Sequence, residues 1–125
     1  MGVVISNSSG TPIYEQIETQ LRASILAGEI PVGQTLPSLR QFAADLRVSV
    51  ITVTRAYNDL VAEGLVRSEH GRGFVVLDVD PETASTLLQS RVDEVITELV
   101  IAARHARLSR TDIQTRLDQT WSTDD

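Results

Sequence analysis

Apolar residues recur at every fourth position as Ile13, Ile17, Leu21 and Ile25, the spacing of a helix with one buried stripe. Thr11-Pro12 just before it, with Glu15 in the first turn, reads as a cap followed by proline at the first helical position. Gly28 marks its end. The stretch GEIPVGQTLPS, with two Gly and two Pro, reads as a loop. Ser38 and Gln41 form a capping-box pattern that opens a short helix with Leu39, Phe42, Ala43 and Leu46 turned inward. Arg47-Val48 is then a turn, and Ser49 caps a further helix whose stripe is Val53, Ala56, Tyr57 and Leu60, ending at Gly64. Two short apolar runs, LVRS and GFVVL, flank EHGRG and predict a hairpin.

Helix, helix, turn, helix and hairpin, in that order within residues 11–78, make the winged helix-turn-helix arrangement. The expected fold class is therefore mainly α with a small β-hairpin (α+β), followed by a two-helix tail. In that tail Asp80-Pro81-Glu82 is a second helix start. Leu88, Val92, Val95, Leu99, Ala102 and Ala106 follow at steps of 4, 3, 4, 3 and 4, and Ile96, Val100 and Ala103 widen the stripe. Ser109 and Asp112 form another capping box before a last short helix marked by Ile113, Leu117 and Trp121. Residues 1–10 are expected to be a flexible segment, 11–78 a winged helix-turn-helix domain and 79–125 a helical tail, with 122–125 frayed. The long stripe either packs on the winged helix or pairs with the same helix of a second chain. A chain this short offers it little core to cover, which favours a homodimer with those six residues as the interface.

Composition narrows the chemistry. The chain has no cysteine, which excludes a disulfide framework, a thiolate metal site and a Cys nucleophile. No apolar run approaches a membrane span and the first residues lack a signal pattern, so a soluble, cytoplasmic protein without a membrane partner is expected. The net charge of −6 argues, taken whole, against a polyanion partner. Read by region, residues 1–76 carry six Arg against seven acids, and residues 77–125 carry five Arg against ten. The acidity belongs mostly to the tail. Every cation is arginine, whose planar fork suits phosphate and guanine edges.

The helix that starts after Ser49 turns Val50, Ile51, Thr52, Thr54, Arg55 and Asn58 away from its apolar stripe. In helix-turn-helix proteins that end enters the major groove, where Thr and Arg contact bases and a free Ser hydroxyl favours phosphate. The other reading is a merely solvated face. Val50 and Ile51 are costly to leave in water and imply a partner, either thymine methyls or a protein, unless one tucks against the Phe42 helix. His70, Gly71 and Arg72 at the hairpin tip are either a simple turn or a wing that reaches a minor groove or phosphate. Arg40, two residues into its helix, opposes the helix dipole unless a phosphate or a nearby acid is close. His70 and His105 lie in different elements, and no HExxH, GxSxG or P-loop pattern occurs, so neither an enzyme nor a cofactor site is expected.

PIYEQIETQLRASILAGEI, LPSLRQFAADLRVSVITVTRAYNDLVAEGLV and GRGFVV together resemble the DNA-binding domain of the GntR family of bacterial transcription regulators, over residues 12–76. The short two-helix tail is similar to the YtrA-type branch. The resemblance implies a homodimeric regulator, often a repressor, bound to a palindromic operator on double-stranded DNA, with a small-molecule effector possible. It carries DNA contacts onto Arg40, Ser49, Thr52, Thr54 or Arg55, His70 and Gly71. Val50 and Ile51 stand where family members often place Arg or another polar residue, so no relative's base preference transfers. A winged helix used for protein interaction, anchored by Val50 and Ile51, is the alternative.

Overall fold

Helix α1 (Ile13–Leu26) turns Ile17, Leu21 and Ile25 into the interior, where their exposure is 6% or less. This is the structure of a computed structural model in which residues 2–124 are described. Thr11 does not cap α1. Pro12 occupies the cap position and no side chain bonds the first turn there, while the Thr11 carbonyl accepts from Gln16 Nε2 at 2.9 Å. Helix α2 (Leu39–Leu46) and helix α3 (Val50–Ala62) complete the three-helix unit. Strands β1 (Val66–Glu69) and β2 (Gly73–Val76) form the antiparallel hairpin, with Val66 opposite Val76 and Glu69 opposite Gly73.

Tyr57 sits at the centre. It is fully buried, its hydroxyl donates to the Pro37 carbonyl at 2.9 Å, and burial raises its phenol pKa. Its ring meets Phe42 of α2 at 6.0 Å and Phe74 of β2 edge-on at 4.9 Å between centroids. One side chain of α3 thus locks the short helix and the hairpin, the geometry in which aromatic pairs gain most. Around it Val53, Ala56 and Leu60 of α3, Ala43 of α2 and Leu65, Val66 and Val76 of the hairpin close the core. Each fully buried aliphatic side chain contributes about 1.5–3 kcal/mol by leaving water.

Three stretches differ from expectation. Residues 3–6 are not loose. Val4 exchanges two hydrogen bonds with the Gln20 amide (2.9 and 2.7 Å), and Ser6 exchanges two with Gln16 (2.8 and 3.0 Å). Val3 and Ile5 pack on the core between them. Two glutamines four apart on α1 supply the pairing that a neighbouring strand would. Secondly, GEIPVGQTLPS is more than a loop. Gly33 and Leu36 amides donate to the Val76 and Phe74 carbonyls (both 2.8 Å), Val76 donates to Gln34 (2.9 Å), and Thr35 bridges Val75. Thirdly, the Ser38 box is half made. Ser38 Oγ accepts from the Gln41 amide (3.1 Å), but the Gln41 side chain turns to Asp45 (2.8 Å) instead of returning to Ser38.

Arg47 closes α2 in the left-handed conformation, φ 58° and ψ 46°, so that Val48 N reaches the Ala43 carbonyl at 3.0 Å. A non-glycine residue there costs about 1 kcal/mol, and the satisfied carbonyls offset it. Arg107 repeats the device, with Leu108 N on the Ala103 carbonyl at 2.9 Å.

Helix α4 (Pro81–His105) starts on an Asp80 cap, whose carboxylate accepts from Thr83 N at 3.1 Å. The chain divides into two compact units, Met1–Leu88 and Gln89–Asp125. The division falls inside α4, not at Asp78, because α4's first turns, with Ala84 buried, belong to the first unit. In the second unit, helix α5 (Arg110–Asp124) opens on a fully reciprocal box: Ser109 N to Asp112 Oδ2 (2.8 Å) and Asp112 N to Ser109 Oγ (3.1 Å). The Ser109 backbone N–H, and then its side chain, hold the Asp112 carboxyl below its usual pKa. Residues 122–124, expected to fray, continue α5. Met1 and Asp125, which the flexible and frayed stretches included, lie outside the described residues.

Of the tail stripe, Val92, Val95, Leu99 and Ala102 are exposed on α4, Leu88 is half-buried in the first unit, and Ala106 lies in the turn past the end of α4. Ala103 is the buried member. It lines an apolar groove of 510 Å³ with Ile96, Leu99, Val100, Leu108, Ile113 and Leu117.

Candidate nucleic-acid interface

Three hydroxyls stand at the leading end of α3, and all three are engaged. Ser49 Oγ accepts from Thr52 N (3.1 Å) and also pairs with Thr52 Oγ1 (2.8 Å). Thr54 Oγ1 donates back to the Val50 carbonyl at 2.8 Å. Ser49 is therefore a working cap, its exposed hydroxyl oxygen already accepting from the helix itself. Val50 is 42% exposed and Ile51 82%, and neither belongs to the core cluster, whereas Val48 packs against it. Ile51, Arg55 and Asn58 follow at i, i+4 and i+7, the line directly opposite the Val53, Ala56 and Leu60 stripe. Arg55 lies on this ridge with its guanidinium stacked over the Tyr14 ring of α1, 3.7 Å from the centroid.

At the hairpin tip Gly71 has φ +81° and Gly73 +96°, which a side chain would oppose. Arg72 folds back. It donates to Glu69 Oε2 (3.0 Å) and to the Gly33 carbonyl (3.1 Å), while Arg67 holds the other Glu69 oxygen at 2.7 Å. His70 and Gly71, at the tip, are both exposed. Arg72 instead shares with Arg40, Ser38 and Phe74 the wall of a 390 Å³ depression between the α2 N-terminus and the hairpin. Arg40 is exposed and makes no ion pair among the described residues.

In the sequence Arg47 shows only as part of the turn before Ser49. It is exposed, left-handed, without an ion pair among the described residues, and immediately precedes the start of α3. The signal available was its position two residues before a cap.

The near-neutral charge of the first unit is unevenly placed. Glu63, at the end of α3, is bridged twice by Arg22 (2.7 and 2.9 Å), which keeps that guanidinium protonated. Glu18 lies beside them, 7% exposed, with Oε1 lacking a hydrogen-bond partner and Arg22 3.9 Å away. Burial, and then the adjacent Asp59 carboxyl, push its pKa up to about 8. Acids thus gather at the far end of α3, whereas residues 50–58 carry Arg55 and no acid.

A family model described as bacterial regulatory proteins, gntR family, matches residues 13–76. The HTH-type transcriptional repressor YtrA of Bacillus subtilis (strain 168) is 33% identical over 104 residues, 83% of this chain and 80% of its own. The solved structure of YtrA from Sulfolobus acidocaldarius, a GntR-family transcription factor, is 30% identical with a TM-score of 0.58 over 97% of each chain. The DNA-binding domain of AraR, solved in complex with operator ORX1, is 28% identical with a TM-score of 0.54, covering 61% of this chain and 95% of that one.

Proposed function

Because the chain belongs to the gntR family of bacterial regulatory proteins, we propose that it is a sequence-specific DNA-binding repressor that acts as a homodimer on a palindromic operator. The observation that carries the reading is the α3 ridge of Ile51, Arg55 and Asn58, free of acids and preceded by Arg40 and Arg47, which are exposed and make no ion pair among the described residues. A helix presented in this way fits the major groove, with the arginines on phosphates and His70 and Gly71 at the wing.

Dimerisation is supported by the second unit. Val92, Val95 and Leu99 leave 55%, 42% and 41% of their surface exposed, and Trp121 leaves 67%. So much apolar surface on a 37-residue unit calls for a partner, and a second copy satisfies it with a self-complementary face.

Fluorescence anisotropy against the duplex upstream of its own gene, with a scrambled control and a salt series, tests the reading. Tight binding to the native duplex at two chains per site, weakened steeply by salt, is expected. Equal binding to native and scrambled duplexes at every salt concentration would overturn it.

A further inference from the structure

Resting on that reading, we propose that Ile51 is a specificity-determining residue that reads the C5 methyl group of thymine in the major groove. The sequence offers Ser49, Thr52 and Thr54 as base-reading hydroxyls at the tip of α3. In the structure the oxygen of each already takes part in a bond within the chain, at 2.8–3.1 Å: Ser49 with the Thr52 amide and hydroxyl, and Thr54 with the Val50 carbonyl. Of the large apolar side chains of α3, Ile51 is the most exposed, at 82%, beside Val50 at 42%. An isoleucine at the second position of a helix is a poor helix former and gains nothing from water. Such a residue is stabilised by an apolar group small enough to sit on a helix flank. The thymine methyl is the apolar group that base pairs present in the major groove, and aliphatic contact is how proteins read it.

Its surroundings point to DNA over a protein. Arg55 and Asn58 continue the same line, and Asn suits the N6 and N7 edge of adenine, thymine's own partner. Arg47 stands just before α3 and Arg40 lies on α2, both exposed and without an ion pair among the described residues, as phosphate contacts require. A protein interface of ordinary size buries about 800 Å² per partner around an apolar centre. Two aliphatic side chains followed by arginine and an amide do not make one.

The test is selection of duplexes from a random library by the full chain, followed by replacement of each thymine with uracil, which removes only the methyl. Wild type, Ile51→Val and Ile51→Ala are compared by anisotropy. One thymine per half-site is expected to lose roughly fourfold in affinity on conversion to uracil, the factor for one buried methyl. Ile51→Ala is expected to bind the thymine and uracil duplexes alike, with Ile51→Val in between. Ile51 is outside the core, so matched thermal melts confirm that the variants fold. Specific binding that is indifferent to every uracil, or equally sensitive in Ile51→Ala, would overturn the role of Ile51 and leave the DNA-binding reading intact. Failure to select any duplex would overturn both.

Discussion

The Arg55 guanidinium carbon sits over the Tyr14 ring, 3.7 Å from its centre, and so ties the outward ridge of α3 to α1. With Arg55 exposed and Tyr14 half-buried, such a pair contributes about 0.5–1 kcal/mol. Its larger effect is on freedom, since Arg55 is already ordered before any partner arrives. Tyr14→Ala should therefore weaken binding to a selected duplex by about threefold to fivefold and narrow its margin over scrambled DNA. Tyr14→Phe, which keeps the ring, should match the wild type. Anisotropy on the three proteins checks this; equal losses in both variants would show that the stack plays no part.

Glu18 gives the first unit a pH dependence. Its folded pKa of about 8 stands above the ordinary 4.5, so the folded state binds the proton more tightly than the unfolded one. The associated stability is complete below about pH 4.5 and is lost as pH rises towards about 8. Facing it are Arg22 on its own helix, Asp59 on α3 and Glu63 at the end of α3. Glu18→Gln should flatten the decline and raise Tm by several degrees at pH 8.5, with little gain at pH 4. Parallel melting curves at the two values would contradict the assignment.

Tyr57→Phe removes only the donor to the Pro37 carbonyl. The loss should be about 1 kcal/mol, or about 4–8 °C in Tm for a unit of this size, with the aromatic packing intact. Thermal denaturation followed by circular dichroism measures it.

The arginines should separate into two kinds. Arg40→Ala and Arg47→Ala should each lower the log–log salt slope by roughly one unit and weaken all sequences alike. Arg72 is bonded to Glu69 and Gly33, so Arg72→Ala should loosen the hairpin, seen as faster amide exchange at Gly33 and Leu36. A salt slope unchanged by Arg40→Ala and Arg47→Ala together would remove both from the phosphate contacts.

Gln16→Leu with Gln20→Leu removes the four bonds that hold Val4 and Ser6. Amide exchange at those two residues should accelerate by an order of magnitude or more while the core amides of α3 keep their protection.

What the sequence discloses and what it conceals follow from the distance between partners. Ile17, Leu21 and Ile25, or Val53, Ala56, Tyr57 and Leu60, announce themselves because a helical face repeats every three to four residues. Ser38, Ser49 and Ser109 announce themselves because a cap reaches only three residues onward. Arg72 meets Gly33 across 39 positions and Gln20 meets Val4 across 16. No local pattern encodes those pairings, so neither the bonded segment at 3–6 nor the strand-like run at 33–36 shows in the sequence. The candidate interface was blurred for a different reason. Ser49 reads equally well as a cap and as a phosphate ligand, and only coordinates show its oxygen engaged by Thr52.

The bonds from Gly33, Gln34 and Leu36 to β2 also bear on solubility. They cover one rim of the hairpin, leaving β1 as the sole rim without a strand partner among the described residues. That rim is four residues long and carries Arg67 and Glu69, clasped to each other at 2.7 Å. A short, charged border is a poor template for a stray strand. The wing can thus project from the molecule without inviting neighbouring copies to stack into a growing sheet, and replacing Arg67 and Glu69 by valine would open that route.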